Sequence, residues 1–218
     1  MPVIIARGAS GRGKAPQVER SLIGALSQLL GDGIPFSDIT IEQLAGRAGI
    51  SRPMFYYYFE DKVALLAHAF EAAVPLALYA RQQVDTWTSG ELTVSTALEA
   101  TAELVERDRD LFAAAIQVSS RDDAISALLH RTCDTVRLML TEHLRSAQTS
   151  QTAVSAQAES IAFGLTILVR AMVRQLVAEP DVGSSCDIVE ATTVVWERLL
   201  STCQPVRQSG RSSAAARP

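Results

Sequence analysis

The chain has 218 residues, 48% hydrophobic and 20% charged, with a formal net charge of −4. This is ordinary globular composition, long enough to bury a core, and its Leu, Ala, Val, Arg and Glu content favours helices over sheets. The acidic balance gives no hint of a nucleic-acid partner, but net charge is a poor guide where charge is unevenly placed. Arg7, Arg12 and Lys14 stand at the start with no acid among them, while Glu99, Glu103, Glu106, Asp108 and Asp110 gather later.

Residues 1–15 carry a Gly-, Ser- and Arg-rich run (RGASGRGKAP) without apolar periodicity and are predicted to be a disordered basic arm. The opening MPVIIARGAS has its basic residues after the short apolar run, which is not the order of a secretory signal. From Gln17, the residues Leu22, Ile23, Leu26, Leu29 and Leu30 recur at spacings of 3 and 4 and predict a helix, stopped by Gly31, Gly33 and Pro35. Thr40 with Gln43 three residues on is a capping-box pattern that opens a second helix, with Ile41, Leu44, Ala45 and Ala48 as its buried face. Gly49 ends it. Ser51 is the next N-cap, and Pro53 sits in a first turn where its missing N–H costs nothing. That short helix closes at Tyr58–Phe59. Asp61 caps a longer one, which Pro75 kinks or ends.

Helices are then predicted over about residues 92–106, 109–118, 122–145, 153–178 and 186–203, with loops at 88–90, 146–152 and 179–185. Residues 204–218 are poor in apolar side chains and are predicted to be a disordered tail. The apolar stretch 161–177 comes nearest to a membrane span, but Arg170 and Arg174 interrupt it; no membrane partner and a cytoplasmic location are expected. Cys133, Cys186 and Cys203 are widely spaced with no CxxC, and are read as reduced thiols rather than a zinc site or disulfide framework.

Two short helices joined by a tight turn at Gly49 make a helix-turn-helix, with the motif over 40–59. Phe55 and Phe59 are four apart and should face the core, which turns Arg52, Met54, Tyr56 and Tyr57 outward. Three adjacent tyrosines cannot all point inward, because helical neighbours differ by about 100°. The outward set suits DNA. Arg52 can bond guanine O6 and N7 or clamp a phosphate. Tyr56 and Tyr57 can reach phosphates through their hydroxyls and lay their rings on sugar or thymine methyl, and Met54 is a flexible apolar contact. Thr40 and Lys62 stand at helix starts, where an anionic phosphate is favoured. The basic arm can enter a minor groove, or simply add weak, salt-dependent attraction.

At this point the sequence resembles a known family. The run T-I-E-Q-L-A-G-R-A-G-I-S-R-P-M-F-Y-Y-Y-F-E-D-K-V-A-L-L, within about residues 17–67, is similar to the N-terminal domain of the TetR family of transcriptional regulators. Its ISRP-x-FY-x-YF part resembles the branch containing the mycobacterial ethionamide-resistance repressor. The resemblance implies DNA contacts at Thr40, Arg52, Pro53, Met54, Tyr56, Tyr57 and Lys62, with Ser51 completing the candidate set. Met54 stands where the family often has a small or hydroxylated residue, which leaves the base preference there open.

The resemblance also implies an all-α fold: an N-terminal helix-turn-helix domain over 16–62 and a helical regulatory and dimerisation domain over 63–203. The periodicity agrees in part. ESIAFGLTILVRAMVRQLVA is apolar on more than one face and must be covered on several sides, and DIVEATTVVWERLLS carries Ile188, Val195, Trp196 and Leu199. Two such helices per chain can make a four-helix homodimer interface; a monomeric helical core is the alternative. Candidate pocket residues are Trp87, Phe112, Met139, Phe163, Leu165, Met172 and Trp196, each of which could equally be plain core. They bring no convergent polar groups, so a small effector would be largely apolar. Arg170 and Arg174 can pair with acids at the interface or hold an anionic head group. His68 with Glu71 reads as a surface i,i+3 pair. No metal spacing, catalytic triad, phosphate loop or cofactor motif is present, so no enzyme is expected. The expected function is a homodimeric repressor released from a pseudo-palindromic operator by a small apolar ligand. The alternative is an activator or a ligand-independent DNA-binding protein of the same fold.

Overall fold

A computed structural model of the chain describes residues 15–74, 94–146, 152–178 and 185–201. Among the described residues there are nine α-helices and no strand: α1 (Ala15–Gly31), α2 (Ile41–Arg47), α3 (Arg52–Tyr58), α4 (Lys62–Ala73), α5 (Val94–Arg107), α6 (Arg109–Val118), α7 (Asp123–Ser146), α8 (Thr152–Ala178) and α9 (Ser185–Ser201). A single 3-10 turn, Phe36–Asp38, lies between α1 and α2. The expected basic arm with Arg7, Arg12 and Lys14, the Pro75 kink, Trp87, Cys203, the tail, and most of the loops predicted at 88–90, 146–152 and 179–185 lie outside the described residues.

The helices end for legible reasons. After α1 the chain turns through Gly33 at φ +78°, with Gly33 N–H bonded to Leu30 O at 2.9 Å and Ile34 N–H to Leu29 O at 3.2 Å. This paired pattern collects two otherwise free carbonyls, and its left-handed residue is cheapest as glycine. Asp122 Oδ1 accepts from the Ala124 and Ile125 N–H groups, both at 3.0 Å, and so caps α7.

Leu22, Leu26, Leu44, Phe55, Leu65, Leu66, Val105, Ala115, Ile125 and Leu165 are fully enclosed and belong to one continuous apolar cluster. The pivot is α4, which packs on α1 toward the N-terminus and on α6 and α7 beyond it. Its Phe70 ring meets Phe112 of α6 edge-on, with centroids 5.1 Å apart. Beyond α4, α8 packs against α5, α6, α7 and α9.

His68 corrects one expectation. It is half-buried and faces Glu19 of α1 at 3.8 Å and the Phe59 ring at 5.5 Å, while Glu71 turns to Arg131 at 3.7 Å. The stretch Ala158–Ala178 is long and apolar enough to cross a membrane by length and composition. Its Arg170 and Arg174 lie on an exposed face, where each would cost about 2.5–3.5 kcal/mol at a bilayer centre.

Candidate nucleic-acid interface

The unit is built on α2 and α3. The Thr40 hydroxyl accepts from Gln43 N–H at 3.2 Å, and Gln43 Oε1 accepts from Thr40 N–H at 2.8 Å, so the expected capping box is formed. Arg47 Nη1 pairs with Asp32 Oδ2 at 2.6 Å, tying the end of α2 to the loop after α1. Gly49, at φ +69°, repeats the turn that ends α1: its N–H reaches Gly46 O at 3.2 Å, and Ile50 N–H reaches Ala45 O at 2.9 Å. One residue later Ser51 caps α3, its Oγ accepting from Met54 N–H at 3.4 Å. Four residues, Ala48 to Ser51, suffice between the two helices, because this turn satisfies its own backbone.

Buried Leu44 and Ala45 form the inner side of α2, and Phe55 (0% exposed) fixes α3 against the core beside Phe59, with ring centroids 6.0 Å apart. The other side of α3 is open. Met54 is 44%, Tyr56 46% and Tyr57 56% exposed, and Ser51, Arg52 and Pro53 are exposed with them. Three large, largely apolar side chains are thus left exposed on one two-turn helix. Arg52 Nη1 pairs with Glu42 Oε1 of α2, and Arg52 Nη2 donates to Tyr56 Oη at 3.2 Å. The Tyr56 hydrogen bond, and then the Glu42 charge, hold the guanidinium pKa above its ordinary value.

A cleft between the starts of α2, α3 and α4 is lined by Thr40, Glu42, Arg52, Asp61, Lys62 and Val63. Thr40 and Arg52 are thus brought together as the sequence suggests. Lys62 is there as well, but its donors point inward, contrary to its expected use on a phosphate. Nζ donates to Phe36 O at 2.9 Å, Ser37 O at 2.7 Å and Ile39 O at 2.8 Å, and lies 5.1 Å from the Phe36 ring centroid. An ammonium has three donors, and all three are taken. Burial pushes its pKa down, partly opposed by Asp38. Lys62 therefore staples the 3-10 turn, and with it the start of α2, to α4. Glu42 was absent from the sequence-based set. Its place in the first turn of the bracing helix was readable; its pairing across the Gly49 turn was not.

In the helical remainder Phe112, Leu165, Met172 and Trp196 are buried and Met139 is half-buried. Phe163 departs from the expected pocket. It is 58% exposed and shares a stripe of α8 with Ile167 (49%), Arg170 and Arg174, while Val194 and Val195 are exposed on α9. Burial holds the half-buried Cys133 thiol above its ordinary range, opposed by Arg170, reinforced by Asp134 and opposed more weakly by Arg174. The Trp196 indole N–H is buried and, among the described residues, has no hydrogen-bond partner. Among the described residues no group of His, Cys, Asp or Glu is placed to hold a metal.

Residues 34–69 match the family model described as bacterial regulatory proteins, tetR family. Over 64 residues the chain is 41% identical to the HTH-type transcriptional regulator EthR of Mycobacterium tuberculosis, and equally to its Mycobacterium bovis counterpart; the match covers 29% of this chain and 29% of theirs. The chain thus spans under a third of the length of these relatives. Its fold is similar to a TetR transcription regulator from Haloarcula marismortui, with a TM-score of 0.66 at 16% identity over 86% of this chain and 98% of that one. A transcriptional regulator from a Rhodococcus species aligns with a TM-score of 0.62 at 18% identity, over 86% and 96% of the two chains.

Proposed function

We propose that this chain, whose residues 34–69 match the tetR family model and whose fold is similar to that of a TetR transcription regulator, is a homodimeric, cytoplasmic TetR-type repressor that leaves its operator when a small ligand binds. It acts by binding and not by catalysis. The observation that carries the DNA-binding part is the open outer face of α3, with Met54, Tyr56 and Tyr57 exposed on a helix that Phe55 anchors rigidly. Arg52 supplies the base contact, Tyr56 and Tyr57 the phosphate and sugar contacts, and Thr40, Ser51 and Pro53 the backbone-positioning edge. Two copies present two such helices to half-sites about one DNA turn or more apart, roughly 34–36 Å or beyond.

The dimer reading rests on large apolar side chains left exposed on the last two helices, Phe163 and Ile167 of α8 and Val194 and Val195 of α9. The ligand reading rests on the interior around Leu165, Met172 and Trp196, where the unpartnered indole N–H favours an apolar molecule carrying one hydrogen-bond acceptor. Release requires that the ligand prefer a dimer whose α3 helices are wrongly spaced, with α4 as the lever.

Selection of bound duplex from a random pool tests the DNA part. The expected result is one enriched, pseudo-palindromic site, with binding lost in the Arg52→Ala, Tyr56→Phe double variant. A pool without enrichment, or undiminished binding by that variant, overturns it.

A further inference from the structure

Glu42 puts a carboxylate on a surface that, in the reading above, meets phosphates, where its sign is wrong. It takes part in a chain of polar contacts that runs in one direction. Its Oε1 accepts from Arg52 Nη1, and Arg52 Nη2 donates to Tyr56 Oη at 3.2 Å, with the guanidinium carbon 5.6 Å from the Tyr56 ring centroid. The Glu42 and Arg52 side chains are 58% and 55% exposed, so the pair faces water and is not held by the core. Because the Tyr56 oxygen acts as acceptor from Arg52, its own hydrogen is free to be donated to an outside acceptor.

The pairing changes what Arg52 can offer to DNA. A lone guanidinium attracts every phosphate of every duplex, and that attraction carries no sequence information. Paired with Glu42 it has no net charge, so the monopole attraction is cancelled. Its remaining N–H groups keep their direction and can still meet the two acceptors on a guanine edge, which a neutral partner does not penalise. We propose that Glu42 sets the sequence selectivity of this interface: by pairing with Arg52 across the Gly49 turn it withholds that side chain from phosphates and reserves it for a base edge.

The inference rests on the DNA-binding reading, and its test separates the two. Affinity and salt dependence are measured for the site enriched by the wild-type protein and for a scrambled duplex of the same composition, using wild type, E42Q, R52Q and the double variant. E42Q is expected to bind the scrambled duplex more tightly and with a salt slope steeper by about 0.9, the effect of one added phosphate contact. Its preference for the enriched site should fall about tenfold. In the R52Q background the Glu42→Gln change should leave the preference unaltered, because Glu42 acts through Arg52. Should E42Q fold poorly by circular dichroism, Glu42→Asp keeps the first-turn carboxylate, is one methylene too short for the pairing, and should show the same loss of preference.

An E42Q protein with unchanged preference and slope overturns the inference and leaves the DNA reading intact. So does an equal effect in the R52Q background, which would mean simple repulsion between Glu42 and phosphate. A wild-type protein that enriches no sequence overturns both.

Discussion

A lysine at a helix start beside a DNA-reading motif has two uses for its three N–H donors, and the sequence alone does not say which. In Lys62 all three are bonded to carbonyls of residues 23 to 26 positions earlier. Replacing it by methionine should lower stability to denaturant by about 1–3 kcal/mol, since carbonyls that faced a cation lose it. The salt slope of DNA binding should stay as in wild type; a slope shallower by about 0.9 would give Lys62 back its phosphate. Phe163 teaches the same lesson for apolar side chains. On a helix apolar all round, periodicity shows that every face needs cover but not whether the cover is the chain's own core or something else. Arg52 was legible as an outward residue because Phe55 and Phe59 fix the phase of α3. Its partner Glu42 was not, because a contact across a turn depends on how two helices cross.

At the level of elements, much more could be read ahead. Thr40 with Gln43, Ser51 with Pro53, and Asp61 each mark a helix start through local chemistry, and each is a cap in the structure. The long helices α5 to α9 begin within about two residues of where apolar spacing places them, because their periodic pattern is long. The 3-10 turn at Phe36–Asp38 was missed, being too short to carry any period. Gly49 is the position on which the interface depends most. A side chain there meets no neighbouring atom, yet φ +69° is left-handed and disfavours any Cβ. Gly49→Ala should therefore cost about 1–2 kcal/mol of unfolding free energy, and because the strain sits between α2 and α3 it should weaken operator binding beyond the loss of folded protein. Titrating DNA with the folded fraction, quantified independently, separates the two effects.

For the whole molecule, assembly is the outstanding property. If α8 and α9 form the homodimer interface, Phe163→Glu buries an unpaired charge in place of an exposed apolar ring next to Ile167. Sedimentation should then report a folded monomer in place of a dimer, with Leu165 and Met172 undisturbed on the inner face and the thermal transition retained. A dimer of unchanged stability would assign the contact to another surface.

The same molecule-wide view gives the edge-on meeting of Phe70 with Phe112 a practical meaning. Chimeric regulators are usually made by cutting a chain where one function seems to stop and grafting another reader onto the stump. Here no such seam exists just after Lys62. Leu65, Leu66, Ala69 and Phe70 seal α1 on one side and α6 on the other, so a cut before them strips both halves of a shared wall. A peptide of residues 15–62 should be partly unfolded in isolation, with weak near-ultraviolet dichroism and rapid amide exchange. A transplant that carries the chain through Ala73, and matches the recipient at Phe112, is the smallest that should keep its shape.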